Sequence, residues 1–132
     1  MRVIALDYGS ARCGVALSDP TGTIVTPLEH IERPGTKRGM GAVVGTIDIA
    51  GAEHVVVGLP ISLKGKDTAQ TKETREFARR LQQRLKIPVE LFDERFTTRL
   101  AQQDPPGSRA SEDSRAAAHL LESWLAGRVQ EP

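Results

Sequence analysis

Asp7, the Asp93-Glu94 pair and Asp113 are the residues of this chain whose types and positions best suit chemistry. Asp7 closes the apolar run Val3-Ile4-Ala5-Leu6 and is followed by Tyr8-Gly9-Ser10-Ala11. A short apolar run ended by small residues reads as a buried strand that carries one carboxylate to its exposed end, where the glycine-containing loop lets a ligand approach the backbone. Asp93 and Glu94 end a second run, Pro88-Val89-Glu90-Leu91-Phe92. Asp113 shares a helical face with Ala117, Leu120 and Trp124, so its side chain looks towards whatever that helix packs on. Several carboxylates that converge without basic partners repel one another and hold protons more tightly unless a divalent cation neutralises them. Mg²⁺ or Mn²⁺ suits oxygen ligands and phosphate chemistry. Two such ions about 4 Å apart could activate a water and stabilise the leaving 3′ oxygen of a phosphodiester. Plainer roles stand beside these. Asp7 could cap its own turn, Asp113 could sit favourably in the first turn of a helix, and Glu94 could pair with Arg95 or Arg99.

The elements that must position these acids follow in order along the chain. Residues 2–7 read as a first strand and 13–18 as a second; Asp19-Pro20-Thr21-Gly22 is a turn, and a third run extends from Ile24 and Val25 to Ile31. Pro27 lacks a backbone donor, which places the third strand at an edge or bends it. Met40, Val43, Val44 and Ile47 have helical spacing despite Gly39, Gly41 and Gly45. His54-Val55-Val56-Val57 is a β-branched run leading to Gly58-Leu59-Pro60, a buried central strand entering a loop that holds Lys64, Gly65 and Lys66. Asp67 and Gln70 resemble a capping pair ahead of a helix whose apolar stripe is Phe77, Ala78, Leu81 and Leu85. Residues 101–111, with Pro105-Pro106-Gly107, read as a mobile connection to the last helix. The order β-β-β-α-β-α-β-α implies an α/β fold, a mixed five-stranded sheet flanked by helices.

The totals restrict the alternatives. At 132 residues the chain is one domain by length, and such a chain buries roughly two thirds of its unfolded surface. The 18 Lys and Arg against 17 Asp and Glu leave a formal charge of +1, so any basic surface for nucleic acid must be local, and no membrane attraction is implied. Cys13 has no disulfide partner and reads as a small buried hydrophobe. No segment has the length of a membrane span or the apolar core of a signal peptide, which makes a cytoplasmic location the default.

Four segments resemble the YqgF/RuvX family of RNase H-like proteins, related to the Holliday-junction resolvase RuvC. They run from Leu6-Asp7-Tyr8-Gly9 to Leu17-Ser18-Asp19, through Val57-Gly58-Leu59-Pro60 and Asp93-Glu94-Arg95-Phe96-Thr97-Thr98, to Asp113-Ser114-Arg115-Ala116-Ala117-Ala118. They occur in family order over nearly the whole chain. The resemblance implies an RNase H-like fold over residues 1–132 and a metal-dependent nuclease site formed by Asp7, Glu94 and Asp113, with Mg²⁺ or Mn²⁺ as cofactor. It implies a role in maturing the 5′ end of the 16S ribosomal RNA precursor, within ribosome biogenesis and in contact with a precursor particle, or resolution of Holliday junctions. One departure is visible. Where family members often carry a Lys-rich tract before the last acid, residues 104–112 contain only Arg109 as a basic group, which weakens backbone binding through that loop.

Around the acids, Arg12 and Arg95 could contact the scissile phosphate through their planar forks, or balance Asp7 and Glu94 as structural ion pairs. Asp93 is the alternative acid to Glu94. Lys64, Lys66, Arg79, Arg80, Arg84 and Lys86 could track a nucleic-acid backbone, although such charges more often solvate a helix. Thr97 and Thr98 could bond a substrate phosphate, but a cap on a following short helix suits them better, and Trp124 fits packing. His30, His54 and His119 share no ligand spacing. The leading expectation is an endonuclease acting on structured or single-stranded nucleic acid, RNA before DNA, as a monomer or weak homodimer. A junction resolvase would need a dimer to make symmetric cuts. A non-catalytic RNA-binding or ribosome-binding module is the alternative of another class. Nucleotide binding fits poorly, because Pro60 stands where a phosphate-binding loop needs its leading glycine and Asp67 replaces the Ser or Thr that would hold Mg²⁺.

Overall fold

The computed structural model describes residues 1–97 and 111–129. Its elements are β1 (Val3–Tyr8), β2 (Arg12–Ser18), β3 (Val25–Glu32), α1 (Lys37–Ala50), β4 (His54–Leu59), α2 (Ala69–Arg84), β5 (Val89–Asp93), a 3₁₀ turn over Glu94–Phe96, and α3 (Glu112–Val129). The strands form one sheet in the order β3-β2-β1-β4-β5. β1, β2 and β3 are antiparallel neighbours, whereas β1 pairs with β4, and β4 with β5, in parallel. The element order and mixed five-stranded sheet match the expected architecture. Pro27 lies on β3, an edge strand, where a missing donor breaks no internal ladder. Among the described residues no helix is long and apolar enough to cross a membrane.

The sheet separates two cores. Ile4, Leu6 and Tyr8 of β1 point to one face with Cys13, Val15, Val55 and Val57, where Met40, Val43 and Ile47 of α1 and Phe77 and Leu81 of α2 cover them. Val3 and Ala5 point to the other face with Ala16 and Val56, beneath Ala117, Leu120, Leu121 and Trp124 of α3. The period of two along β1 therefore sends Asp7 to the α3 face and Tyr8 to the opposite one. Tyr8, expected in a loop, ends the strand: its ring stacks on Phe77 at 4.4 Å and its hydroxyl donates to Glu73 at 2.9 Å.

Local contacts explain several boundaries. Thr36 caps α1 by accepting from the Gly39 amide at 3.0 Å, and Gly51 closes it in the left-handed conformation. Gly39 weakens the helix by composition but is required by packing, because a Cβ there would lie 1.9 Å from the Arg33 carbonyl oxygen. The expected Asp67–Gln70 cap of α2 is not formed. Thr68 is the N-cap and exchanges hydrogen bonds with Thr71, while Asp67, one residue outside the cap, pairs with Arg75 at 3.2 Å. A short hydroxyl on the cap residue reaches the amide three positions on, which a residue one step earlier cannot do. Ser111 accepts from the Ser114 amide at 3.2 Å and so starts α3. The mobile connection expected for residues 101–111 otherwise lies outside the described residues.

Candidate active site

Asp7 sits between two glycines. Gly14 is its partner on β2, and the parallel register that sets Leu6 beside Val57 brings Gly58 of β4 to its other side. Both glycines face α3 and both are occupied from above. A Cβ on Gly14 would lie 1.9 Å from the Asp113 carbonyl oxygen, so the first turn of α3 rests directly on the strand. A Cβ on Gly58 would lie 2.9 Å from a Glu94 carboxylate oxygen and 3.0 Å from Leu120. Missing side chains on the strands thus let a helix terminus and a carboxylate flank Asp7. A bulge helps to seat α3. The β2–β3 register shifts between Cys13 and Val15, and the Val15 amide donates to the buried Ser114 hydroxyl at 3.2 Å.

Asp7 and Glu94 line one small cleft with Thr97, Ala116 and Leu120, with about 70 Å³ of room. That space matches an ion or a few waters more than an organic ligand. The hydroxyl of Thr97 is buried and has no hydrogen-bond partner among the described residues, so it offers the cleft an unspent oxygen. Carboxylate and hydroxyl oxygens make a hard donor set appropriate to a divalent cation. Asp113 stands at the neighbouring position but is engaged otherwise. Arg12 Nε donates to its Oδ2 at 2.9 Å, with both side chains partly exposed. Among the described residues no three His, Cys, Asp or Glu side chains are grouped as a ready metal site. The donor set therefore fits a cation at Asp7 and Glu94, while Asp113 accepts from Arg12 through one of its two oxygens.

The arginines differ from the expected pairing. Arg12 meets Asp113, not Asp7. Arg95 pairs with Asp93, not Glu94, with Nη2 2.6 Å from Oδ2 and Nε 2.9 Å from the same oxygen. Asp93 also caps the 3₁₀ turn by accepting from the Arg95 amide at 2.9 Å. The Arg95 guanidinium accordingly holds the Asp93 carboxyl below its ordinary range, and Asp93 in turn raises Arg95. Asp93 thus serves the turn that aims Glu94 at the cleft. On the far face of β2, Cys13 is buried, and its thiol is pushed far up by burial first and by the Asp7 and Asp113 charges after it. It is inert packing.

Other candidates disperse. Arg79 pairs with Glu76 along α2 at 2.9 Å, and Arg80 donates to the Gly35 carbonyl at 3.1 Å. Lys64 and Lys66 are exposed in the loop after β4, where a Cβ on Gly65 would come 3.6 Å from Arg95. Trp124 is core, donating to Glu90 at 3.1 Å. The residues missed by sequence reasoning are Gly14, Gly58, Ser111 and Ser114. The glycines carried a usable signal, since an interior strand glycine on the same face as a terminal acid marks a close approach.

A mixed 3-2-1-4-5 sheet, antiparallel over its first three strands and parallel beyond, defines the class by fold as RNase H-like. T. thermophilus RuvC in complex with a Holliday junction substrate superposes with a TM-score of 0.67 at 13% identity, covering 98% of this chain and 96% of that one. The fowlpox virus resolvase in complex with Holliday junction DNA gives 0.57 at 12%, over 98% and 100%. The family model described as "RuvX: Holliday junction resolvase" matches residues 1–127, and the chain belongs to that family. A protein of Maridesulfovibrio salexigens named "Putative pre-16S rRNA nuclease" is 33% identical, covering 96% of this chain and 98% of its own. One of the same name from Syntrophomonas wolfei is 36% identical over 96% and 95%. The chain is accordingly a nuclease, a hydrolase of phosphodiester bonds whose partner is nucleic acid.

Proposed function

We propose that this chain is a divalent-metal-dependent endonuclease that trims the 5′ end of the 16S ribosomal RNA precursor, with residues 1–132 working as one nuclease domain in the cytoplasm. The observation that carries the reading is the pair of glycines beside Asp7, which lets Glu94 share its cleft and seats the Asp113 turn on the same strand. Asp7 and Glu94 would hold Mg²⁺ or Mn²⁺, with the Thr97 hydroxyl as a further oxygen and Asp113 as the third carboxylate. The bound cation supplies a lowered pKa for an attacking water and charge stabilisation for the leaving oxygen. Arg12, which spends its Nε on Asp113, keeps its terminal nitrogens for a phosphate oxygen, and Arg95 on its Asp93 support presents the other side. RNA is the preferred substrate, and the relatives' shared name supports it.

Junction resolution is the second reading, favoured by the description of the matching family. It requires symmetric cuts by a dimer, so solution mass and cleavage symmetry on four-way junctions separate the two. The main experiment is a cleavage screen over precursor RNA, single-stranded DNA and four-way junctions with Mg²⁺ or Mn²⁺. Asp7→Asn, Glu94→Gln and Asp113→Asn should each lower cleavage per folded molecule at least about a hundredfold, since each removes a charged metal ligand. A non-catalytic binding module would show no metal-dependent cleavage for Asp7→Asn to abolish. Normal cleavage by Glu94→Gln with loss in Asp93→Asn would reassign the second acid.

A further inference from the structure

The acidic cleft leaves a larger feature of the same end of the molecule unexplained. A groove of about 630 Å³ lies between edge strand β3 and the start of α1, lined by His30, Ile31, Glu32, Arg33, Thr36 and Arg38 with Gly39 and Ala42. It opens at the same end of the sheet, on the face opposite the cleft, and Arg12 stands between the two. Arg12, paired with Asp113, lies in register with Glu32, and the Arg33 amide donates to the Ala11 carbonyl at 2.9 Å.

The groove carries an excess of positive charge, Arg33 and Arg38 against the one carboxylate Glu32. Arg33, Lys37 and Arg38 are exposed, no ion pair joins any of them to a carboxylate among the described residues, and the first turn of α1 contains no acid. Glu32, the acid in the lining, is engaged with His30 at 2.9 Å. In a chain of net charge +1 such a local excess is not a consequence of composition. Arg33 is also the one non-glycine among the described residues with positive φ, at 43°. An L-residue there costs on the order of 1 kcal/mol, and it persists only where its surroundings hold it. They do: the Thr36 amide and hydroxyl both donate to the Arg33 carbonyl, at 3.1 and 2.8 Å, and Gly39 packs against the same oxygen. The corner fixes a long cation at the groove rim.

We propose that this groove is a second binding site for the phosphodiester backbone of one nucleic-acid strand, holding the segment that has left the acidic cleft past Arg12. The inference rests on the nuclease reading for the direction of the strand. Its chemistry favours phosphate over a peptide strand, because Pro27 interrupts the donors that β3 would offer to an added strand, whereas the cations need no such ladder.

Binding is measured in the Asp7→Asn background, so that cutting does not consume the probe, using fluorescein-labelled single-stranded RNA and DNA. With a strand of about 20 nucleotides, Arg33→Glu/Arg38→Glu should lose at least about tenfold in affinity at fixed salt, and its dependence on salt should become shallower by about two phosphates. With a strand of about 6 nucleotides, long enough for the cleft alone, the loss should stay below about twofold. Arg33→Gly relieves the backbone and removes the cation, so it should keep or raise the melting temperature while weakening the long strand. A merely structural Arg33 gives the reverse pattern. Long-strand affinity within twofold of the parent in the double charge reversal, or equal losses for both lengths, overturns the groove. Equal effects on RNA and DNA identify the phosphate backbone as the ligand, and an effect confined to RNA adds a contact to ribose. If the wild type cuts RNA while the reversal leaves binding intact, only the groove fails. If long strands depend on the groove but neither metal supports cleavage of any substrate, the nuclease reading fails and the groove stands.

Discussion

The two faces of the sheet are built from different side-chain volumes. Towards α1 and α2 the strands present Ile4, Leu6, Tyr8, Val15 and Val57, and the helices answer with Met40, Ile47, Phe77 and Leu81. Towards α3 the same strands present Val3 and Val56 at one end but only Ala5, Asp7, Gly14, Ala16 and Gly58 nearer the site, and α3 answers with Ala117 and Ala118 before Leu120, Leu121 and Trp124. Large interlocking groups hold helices off the strands by their own thickness, whereas small residues admit backbone to backbone. The first face supplies cohesion. The second supplies proximity, which a cluster of carboxylates needs and cannot create for itself, because like charges oppose it.

That contrast predicts how the faces respond to one added or removed carbon. Gly14→Ala should have the largest effect, because its Cβ would lie 1.9 Å from backbone atoms of Asp113 that have no rotamer to change. Lifting α3 off β2 should cost more than about 4 kcal/mol, in the tail of single-substitution effects, and cleavage should vanish with it. Thermal melting and cleavage per folded molecule check both. Leu81→Ala on the opposite face should cost about 2–5 kcal/mol by leaving a cavity at a fully buried site. Cleavage per folded molecule should nevertheless be retained. A Leu81 variant that folds but cannot cut would break the division between the faces.

The division was only half legible in the sequence. The volume face announces itself, since Val-rich runs and the 77, 78, 81 stripe carry periodicities that physics ties to strands and helices. So do Asp7 at a strand end and the edge position of Pro27. The proximity face is encoded by what is missing from Gly14 and Gly58, and a glycine reads equally as a turn, a bulge or a close approach until its neighbour is known. Arginine partners were illegible for a related reason. Nearness in sequence suggested Arg12 with Asp7 and Arg95 with Glu94. The β1–β2 hairpin carries Arg12 to a residue 101 positions away, and the 3₁₀ turn folds Arg95 back onto Asp93. The α2 cap lies one residue later than expected because Thr68 finds a reciprocal partner in Thr71, whereas Asp67 turns to Arg75.

Ser114→Ala sharpens the comparison by leaving volume nearly unchanged and removing one polar contact. The Val15 amide would lose its hydroxyl acceptor at a buried site. The cost should be about 1–3 kcal/mol, the penalty for a buried donor left without a partner. Hydrogen exchange at the Val15 amide should accelerate more than at Val55, which receives no support from α3. Equal changes at both would mean that Ser114 acts through global stability and not through the bulge.

The smallest expected effect on stability is at Arg12, where the proximity face meets solvent. The Arg12–Asp113 pair is 2.9 Å long, but the two side chains are 53% and 34% exposed. A pair so placed is screened and contributes about 0–1 kcal/mol. Arg12→Ala should therefore leave the melting temperature nearly unchanged, which separates the two roles that the residue could have. If Arg12 only braces α3, cleavage per folded molecule stays normal. If it positions the scissile phosphate, Ala should impair both affinity and single-turnover cleavage, and Lys, which keeps the charge without the planar fork, should recover affinity better than turnover. The control is Asp113→Asn/Arg12→Ala. A phosphate role predicts that the double variant is worse than Asp113→Asn alone, because Arg12 contributes after its protein partner has been weakened. A bracing role predicts no further loss, since the pair is already broken. Single-turnover cleavage, affinity at fixed salt and thermal melting on these variants decide between the two outcomes.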